Sequence, residues 1–125
     1  MVYNILIIED DDTVRSYLKR MIQKKFEFNI SEAENGRIGL EVLQKVKPDI
    51  IFLDISMPVM SGLEFLEKIK LDPAYSKIPI LILTANNDRE TIRKIINLGV
   101  TDYILKPIDP ARTYSRIQEL IDNLN

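Results

Sequence analysis

Cysteine and histidine are both absent from this 125-residue chain, and their absence removes several kinds of chemistry. The chain has no disulfide, no thiolate nucleophile, no imidazole acid or base, and no zinc site of the usual kind. Glycine is scarce as well, and its four residues form no G-x-G-x-x-G phosphate loop. Any chemistry must therefore use carboxylates, hydroxyls and lysine.

The chain also lacks an excess of positive charge and a long apolar run. Its formal net charge is -2 and its sequence pI is about 5.2, whereas nucleic-acid binding requires a clustered basic surface. No apolar run approaches the length of a membrane span, and the N-terminus has no basic flank before an apolar core. We expect a cytoplasmic protein with no direct nucleic-acid binding by this domain and no membrane insertion.

Apolar runs alternate with amphipathic segments along the whole chain, which we interpret as one domain over residues 1–125. Buried strands are predicted at 5–8, 50–53 and 79–83. A shorter outer strand around Phe28 and Ile30 is predicted within 26–33, and a last short strand at 100–105. Helical spacing of apolar residues predicts helices at 13–25, 38–46, 61–71, 88–98 and 110–124. This alternation predicts an α/β fold in which helices cover both faces of a parallel sheet.

Local signals mark several ends of these segments. We expect Asp12 or Thr13 to cap the first helix and Ser61 to cap the third. Asp11 and Asp12, which continue the acidic run, are interpreted as loop or cap residues. The pair Asn35-Gly36 predicts a turn, and Gly99 predicts the C-terminal end of the fourth helix.

Polar side chains follow four of the predicted strands. Glu9 and Asp10 come after the first strand, Asp54 after the third, Thr84 after the fourth and Lys106 after the fifth. Ligands of parallel α/β sheets bind beyond the carboxyl ends of the strands, so we expect these residues to form one site. Each has a simpler interpretation when taken alone: Lys106 could cover the sheet edge, and Thr84 could cap a turn.

Three carboxylates in one site require positive charge. Two of them about 4 Å apart repel by roughly 4 kcal/mol at an effective dielectric of 20, and Lys106 supplies one charge against three. Mg²⁺ suits hard oxygen ligands and would cancel the deficit. In such a pocket Asp54 can act as the nucleophile of phosphoryl transfer, with Lys106 and the Thr84 hydroxyl as positioning groups, and the product would be an aspartyl phosphate.

Four motifs in this order and spacing give the chain a family resemblance. They are ILIIEDD at 5–11, DISMPVMSG at 54–62, ILTA at 82–85 and DYILKP at 102–107. From Ile5 to Leu124 the chain resembles the receiver domain of two-component response regulators, which include the chemotaxis response regulator. The resemblance implies a flavodoxin-like, doubly wound, five-stranded parallel sheet of order 2-1-3-4-5 with five helices.

The resemblance also implies a metal site and a phosphorylation site. Asp54 matches the phospho-acceptor of the family. Asp10, Asp54 and the backbone carbonyl of Ser56 match direct ligands of Mg²⁺, and Glu9 matches a residue that acts through a bound water. Many members have aspartate where this chain has Glu9, which keeps the negative charge on a longer side chain.

Further residues match the switching elements of the family. Thr84 and Lys106 match the residues that contact the phosphoryl oxygens, and Tyr103 matches an aromatic that turns inward when the Thr84 hydroxyl moves onto the phosphoryl group. Taken alone, an aromatic in a strand, as Tyr103 is, more often serves simple packing. Ser56 and Asn86 match positions that tune the lifetime of the acyl phosphate, and Lys106-Pro107 matches a cis peptide bond.

The implied function is a signalling switch. A histidine kinase or histidine phosphotransfer protein would donate the phosphoryl group to Asp54. The surface of the fourth helix, last strand and last helix would then bind a downstream target or effector domain, or a second copy in a phosphorylation-dependent homodimer. We expect no enzymatic turnover beyond self-phosphorylation and autodephosphorylation.

Two other classes use similar residues or the same fold. A phosphohydrolase of the haloacid-dehalogenase type also uses an aspartate nucleophile with Mg²⁺, but it places a second acid two residues later, where this chain has Ser56. A flavodoxin-like cofactor binder needs a neutral loop after the first strand, and the acidic run 9–12 would repel a flavin phosphate.

Overall fold

A computed structural model describes residues 2–55, 57, 60–85, 89–100 and 102–124, in which five strands alternate with five helices. The strands are β1 (Tyr3–Ile8), β2 (Phe28–Ala33), β3 (Ile50–Asp54), β4 (Ile80–Thr84) and β5 (Tyr103–Leu105). The helices are α1 (Asp12–Lys25), α2 (Gly36–Leu43), α3 (Gly62–Lys70), α4 (Arg89–Asn97) and α5 (Pro110–Leu124). Within these described ranges, every helix is too short or too polar to span a membrane.

The strands form one parallel sheet of order β2-β1-β3-β4-β5, which confirms the predicted topology. The register pairs Ile8 with Leu53, Asp54 with Leu83, and Thr84 with Leu105. All residues of β3 and β4 are buried, as expected for central strands of a sheet covered on both faces. The carboxyl ends of the strands therefore meet at one edge of the sheet.

Successive residues of the central strands point to opposite faces and build two separate cores. Leu6, Ile8 and Leu53 pack with buried residues of α2, α3 and α4 on one face. On the other face, Ile7 and Phe52 pack with buried residues of α1 and α5. The two cores hold the sheet from both sides, so the edge that carries the polar residues is rigidly supported.

The start of α1 differs from the cap first predicted for it and agrees with the interpretation of Asp11 as a loop or cap residue. Asp11, not Asp12 or Thr13, caps the helix, because its extended backbone lets Oδ1 accept hydrogen bonds from the amides of Thr13 and Val14 at 2.8 and 3.1 Å. Asn35-Gly36 likewise begins a helix rather than forming a separate turn.

The other helix ends agree with the predicted ends to different degrees. Asn35 caps α2 through the amide of Ile38, and Ser61 caps α3 as predicted. The helix α2 ends at Leu43, earlier than predicted, and a short turn follows it. Gly99 follows α4 with a φ of 87°, a backbone conformation that glycine adopts without strain, which confirms its predicted place.

Candidate functional site

The backbone around the strand ends is held by hydrogen bonds that continue the sheet. The amide of Glu9 donates to Ala33 O at 3.0 Å, and the amide of Lys106 donates to Thr84 O at 2.8 Å. Ile55, directly after the candidate acceptor, donates to Leu83 O at 3.1 Å. The residues that carry the candidate chemistry therefore have fixed backbones although most lie just outside the strands.

Three carboxylates converge at this edge of the sheet. One oxygen from each of Glu9, Asp10 and Asp54 lies within 4.8 Å of the others. Glu9 and Asp54 are 0% and 3% exposed, while Asp10 is open to solvent. Because the two buried acids have little solvent to disperse their charge, their mutual repulsion is strong.

Lys106 reaches into this group of acids. Its Nζ lies 2.6 Å from Glu9 Oε1 and 3.6 Å from Asp54 Oδ1, and its side chain is mostly buried. This position differs from that of a surface lysine that only covers the sheet edge. The Lys106-Pro107 peptide bond is cis, as the family resemblance implies.

The electrostatics of the group set where a proton resides. Burial, together with the hydrogen bonds and charges of Glu9 and Asp10, raises the pKa of Asp54 to about 8, and Lys106 opposes this rise. Burial would also raise the pKa of Asp10, but hydrogen bonds with Asp54 and Glu9 outweigh it and lower that pKa. Burial would lower the pKa of Lys106, but the neighbouring carboxylates raise it. Without a cation, the group therefore holds a proton on Asp54 and keeps Lys106 charged.

These residues fit a hard divalent cation. Glu9 Oε1 is buried and accepts no well-directed hydrogen bond, although Lys106 Nζ lies close to it, so the oxygen retains capacity for another positive partner. The other ligands are carboxylate oxygens, one of them on the open Asp10. Carboxylates with room for water are the donor set that Mg²⁺ prefers. The structure thus places the three predicted carboxylates of the metal site together.

The structure also locates the remaining predicted residues. Thr84 ends β4 and is 2% exposed, while Tyr103 begins β5 and is 40% exposed. Ser56 and Asn86, the predicted metal ligand and lifetime positions, lie outside the described residues.

Two residues at the site make contacts that sequence reasoning did not specify; it assigned Gly62 only to loop geometry and did not single out Arg15. A Cβ on Gly62 would lie 2.2 Å from Asp54 O, so only glycine permits α3 to start this close to Asp54. Arg15 donates from Nη1 to Glu9 O at 2.7 Å. A sequence signal for Arg15 exists, because a basic residue near a helix N-terminus opposes the helix dipole and requires local compensation.

Comparison with known proteins points to the same family as the sequence motifs. The family model described as "Response regulator receiver domain" matches residues 5–118. Chemotaxis protein CheY-3 of Vibrio cholerae is 32% identical over 96% of this chain and 92% of its own length. Histidine kinase P4 of Formosa agariphila is 36% identical over 95% of this chain. The probable transcriptional regulator ycf29 of Porphyra purpurea is 35% identical over 100% of this chain.

The extent of each match differs greatly among these proteins. The chain spans only 8% of the length of the P4 kinase and 60% of ycf29. The crystallised CheY4 of Vibrio cholerae superimposes with a TM-score of 0.88 at 28% identity, covering 96% of this chain and 99% of that structure. With the family match, the topology and the acidic group at the strand ends in agreement, the chain belongs to the response regulator receiver domain family.

Proposed function

We propose that this chain is a phospho-accepting switch in which Asp54 receives a phosphoryl group from a phosphohistidine of a histidine kinase or histidine phosphotransfer protein. One observation carries the proposal: a buried aspartate at the end of a central strand lies among two further carboxylates and a lysine ammonium. The acids favour a divalent cation, and the cation and lysine together favour an anionic phosphoryl group.

The transfer uses a carboxylate oxygen of Asp54 as the nucleophile. As the new O–P bond forms, the N–P bond of the phosphohistidine breaks, and its electron pair stays on the imidazole nitrogen of the donor. Asp54 must be deprotonated to attack, so its proton leaves before transfer. Lys106, 3.6 Å from Asp54 Oδ1, is close enough to pair with a phosphoryl oxygen.

Glu9, Asp10, Asp54 and the Ser56 carbonyl would hold Mg²⁺, which neutralises charge that develops on the phosphoryl oxygens. The contribution of the chain is to hold these ligands before the donor arrives. Glu9 and Asp54 are fixed by burial and by strand hydrogen bonds, which lowers the cost of organising the site.

Thr84 and Tyr103 form the switching element of this proposal. The register pairs Thr84 with Leu105 and Ile82 with Tyr103, so Thr84 and Tyr103 lie on the same face of adjacent strands. A hydrogen bond from the Thr84 hydroxyl to the phosphoryl group would open space beside β5, and the exposed Tyr103 ring would turn inward to fill it.

The change would be transmitted to an output surface on α4, β5 and α5. Four large apolar residues there are exposed, namely Ile96, Tyr103, Leu105 and Leu124. A target, an effector domain or a second copy of the chain would bind this surface after phosphorylation. Inward movement of Tyr103 would alter its shape, which links phosphorylation to binding.

Incubation with acetyl phosphate and Mg²⁺ tests the proposal. Intact-mass spectrometry should show one added phosphoryl group on the unaltered chain and none on Asp54→Asn. Equal labelling of that variant would reject Asp54 as the acceptor. Rapid catalytic turnover of assorted phosphomonoesters would instead favour the haloacid-dehalogenase type of hydrolase, although among the described residues no acid follows Asp54 closely enough to serve as its second carboxylate.

A further inference from the structure

Arg15 lies beside the candidate metal site but contributes no ligand to it. Its side chain is 16% exposed, and Nη1 donates to the backbone carbonyl of Glu9 at 2.7 Å. We propose that Arg15 is a positioning residue that sets the backbone of Glu9 and Asp10 for binding a divalent cation. This inference rests on the proposed function, because it assumes that the carboxylates bind that cation.

The guanidinium of Arg15 joins three parts of the fold. Nε contacts Glu32 Oε1 of β2 at 3.2 Å, and Nη2 contacts Asp12 Oδ1 in the first turn of α1 at 2.5 Å. The third contact is the Glu9 carbonyl, directly after β1. A planar guanidinium presents its donors in fixed directions. The carboxylates of Asp12 and Glu32 therefore orient the Arg15 guanidinium, which in turn holds the Glu9 carbonyl.

The peptide group between Glu9 and Asp10 transmits this orientation. Glu9 O and the Asp10 amide belong to one planar peptide group. A hydrogen bond to Glu9 O therefore also fixes the orientation of this plane, in which the Asp10 Cα lies. The amide of Glu9 is held independently by Ala33 O at 3.0 Å. Asp10 lies beyond the strand, so the plane of this peptide group, together with the hydrogen bonds of its carboxyl with Asp54 and Glu9, determines where that carboxylate points.

A role for Arg15 through its charge alone predicts a change in Mg²⁺ affinity opposite in sign to that of a positioning role. A guanidinium near the site repels a dication, so removing its charge should strengthen Mg²⁺ binding if Arg15 acts only through its field. If Arg15 acts by positioning, removing it should weaken binding because Asp10 loses its fixed orientation. The sign of the change in affinity therefore separates the two roles.

Titration calorimetry with MgCl₂ on the full chain measures this sign. We expect Arg15→Ala to raise the Mg²⁺ dissociation constant about tenfold, the usual range for groups that orient metal ligands. Arg15→Lys keeps the positive charge but loses the planar set of donors that binds several partners at once. Its Mg²⁺ dissociation constant should therefore lie between those of Arg15→Ala and the unaltered chain. Amide hydrogen exchange at Asp10 and Asp11 in metal-free Arg15→Ala should also be faster.

Arg116→Ala is the matched control. Arg116 is another ion-paired arginine, 3.6 Å from Asp102 and 3.5 Å from Glu119, but its partners lie before β5 and on α5, away from the acids. Its Mg²⁺ dissociation constant should equal that of the unaltered chain. Unchanged or tighter binding in both Arg15 variants would overturn the inference. Should the unaltered chain bind no Mg²⁺, the proposed function itself would fail and the inference with it.

Discussion

Lys106 lies closer to Glu9 than to the candidate phospho-acceptor: its Nζ is 2.6 Å from Glu9 Oε1, against 3.6 Å from Asp54 Oδ1. Because Glu9 is fully buried, its carboxylate depends on this contact for charge compensation when no metal is bound. The lysine thus has a structural partner in the metal-free chain and a different candidate partner, the phosphoryl group, in the proposed switch.

Removing the ammonium should destabilise the metal-free chain. We expect Lys106→Met to lower the free energy of unfolding by about 2–4 kcal/mol in EDTA, because the buried Glu9 carboxylate loses its cationic partner. The double variant Glu9→Gln with Lys106→Met should recover part of the loss. Urea denaturation followed by circular dichroism measures both, and equal losses in the single and double variants would contradict the pairing.

Protonation of Asp54 predicts a pH-dependent stability in EDTA. Burial and the neighbouring acids raise its pKa to about 8, so between its unfolded value near 3.8 and pH 8 the folded chain binds a proton that the unfolded chain has released. This stabilisation is complete below the unfolded pKa and is lost as pH rises through 8.

Asp54→Asn isolates that contribution. Relative to the variant, the unaltered chain should lose up to about 1.4 kcal/mol of unfolding free energy per pH unit between pH 5 and 8. Urea midpoints measured for both proteins across this range test the expectation. Parallel pH profiles would show that Asp54 has an ordinary pKa in the folded chain.

Addition of Mg²⁺ should reverse this loss. A ligand that binds only the folded state at a hundred times its dissociation constant stabilises by about 2.7 kcal/mol. Because the cation competes with the proton on Asp54, its binding should tighten as pH rises from 6 to 8. Thermal melts with MgCl₂ and with EDTA at both pH values test this expectation. Asp10→Asn should show a smaller stabilisation by Mg²⁺. The same shift in melting temperature at both pH values would argue against competition at Asp54.

Gly62 should be required for the acceptor geometry. A Cβ at this position meets the backbone of Asp54 and Ile55 at 2.2–2.6 Å, so Gly62→Ala must displace one of them, at a cost of about 2–4 kcal/mol. Its rate of phosphorylation by acetyl phosphate should fall along with stability.

Gly99→Ala provides a matched comparison for Gly62→Ala. A Cβ there meets nothing within 4 Å, so the cost is backbone strain of about 1–2 kcal/mol from its positive φ. Gly99 follows α4 and precedes β5, away from the carboxyl ends of the strands, so phosphorylation should proceed at the normal rate. A similar loss of rate in both variants would mean that general destabilisation, and not contact with Asp54, is responsible.

Short-range patterns predicted most of the secondary structure, and they failed where neighbouring residues compete. Three consecutive aspartates, residues 10 to 12, stand at the start of α1, and the periodicity of the helix does not reveal which of them caps it. Asp11 does so because its backbone is extended and its side chain reaches the amides of Thr13 and Val14. Hydrogen-bond geometry of this kind depends on dihedral angles that composition does not specify.

The candidate site was predictable in membership but not in its contacts. Acids, a threonine and a lysine at strand ends can be read along the chain, since parallel strands share one carboxyl edge. The contact of Gly62 with Asp54 joins residues on either side of a loop, and the bond from Arg15 to Glu9 O joins a helix to a strand end. No periodicity encodes either contact.

The sequence by itself determined the alternation of strands and helices, the family and the acidic character of the site, because these follow from local hydrophobic patterns and from residue types in a fixed order. Only the tertiary structure decided that Lys106 pairs most closely with Glu9, that Asp54 is buried enough to hold a proton, and that Arg15 holds the Glu9 carbonyl. These properties arise from distances and desolvation among residues far apart in the chain, which exist only after the sheet has assembled.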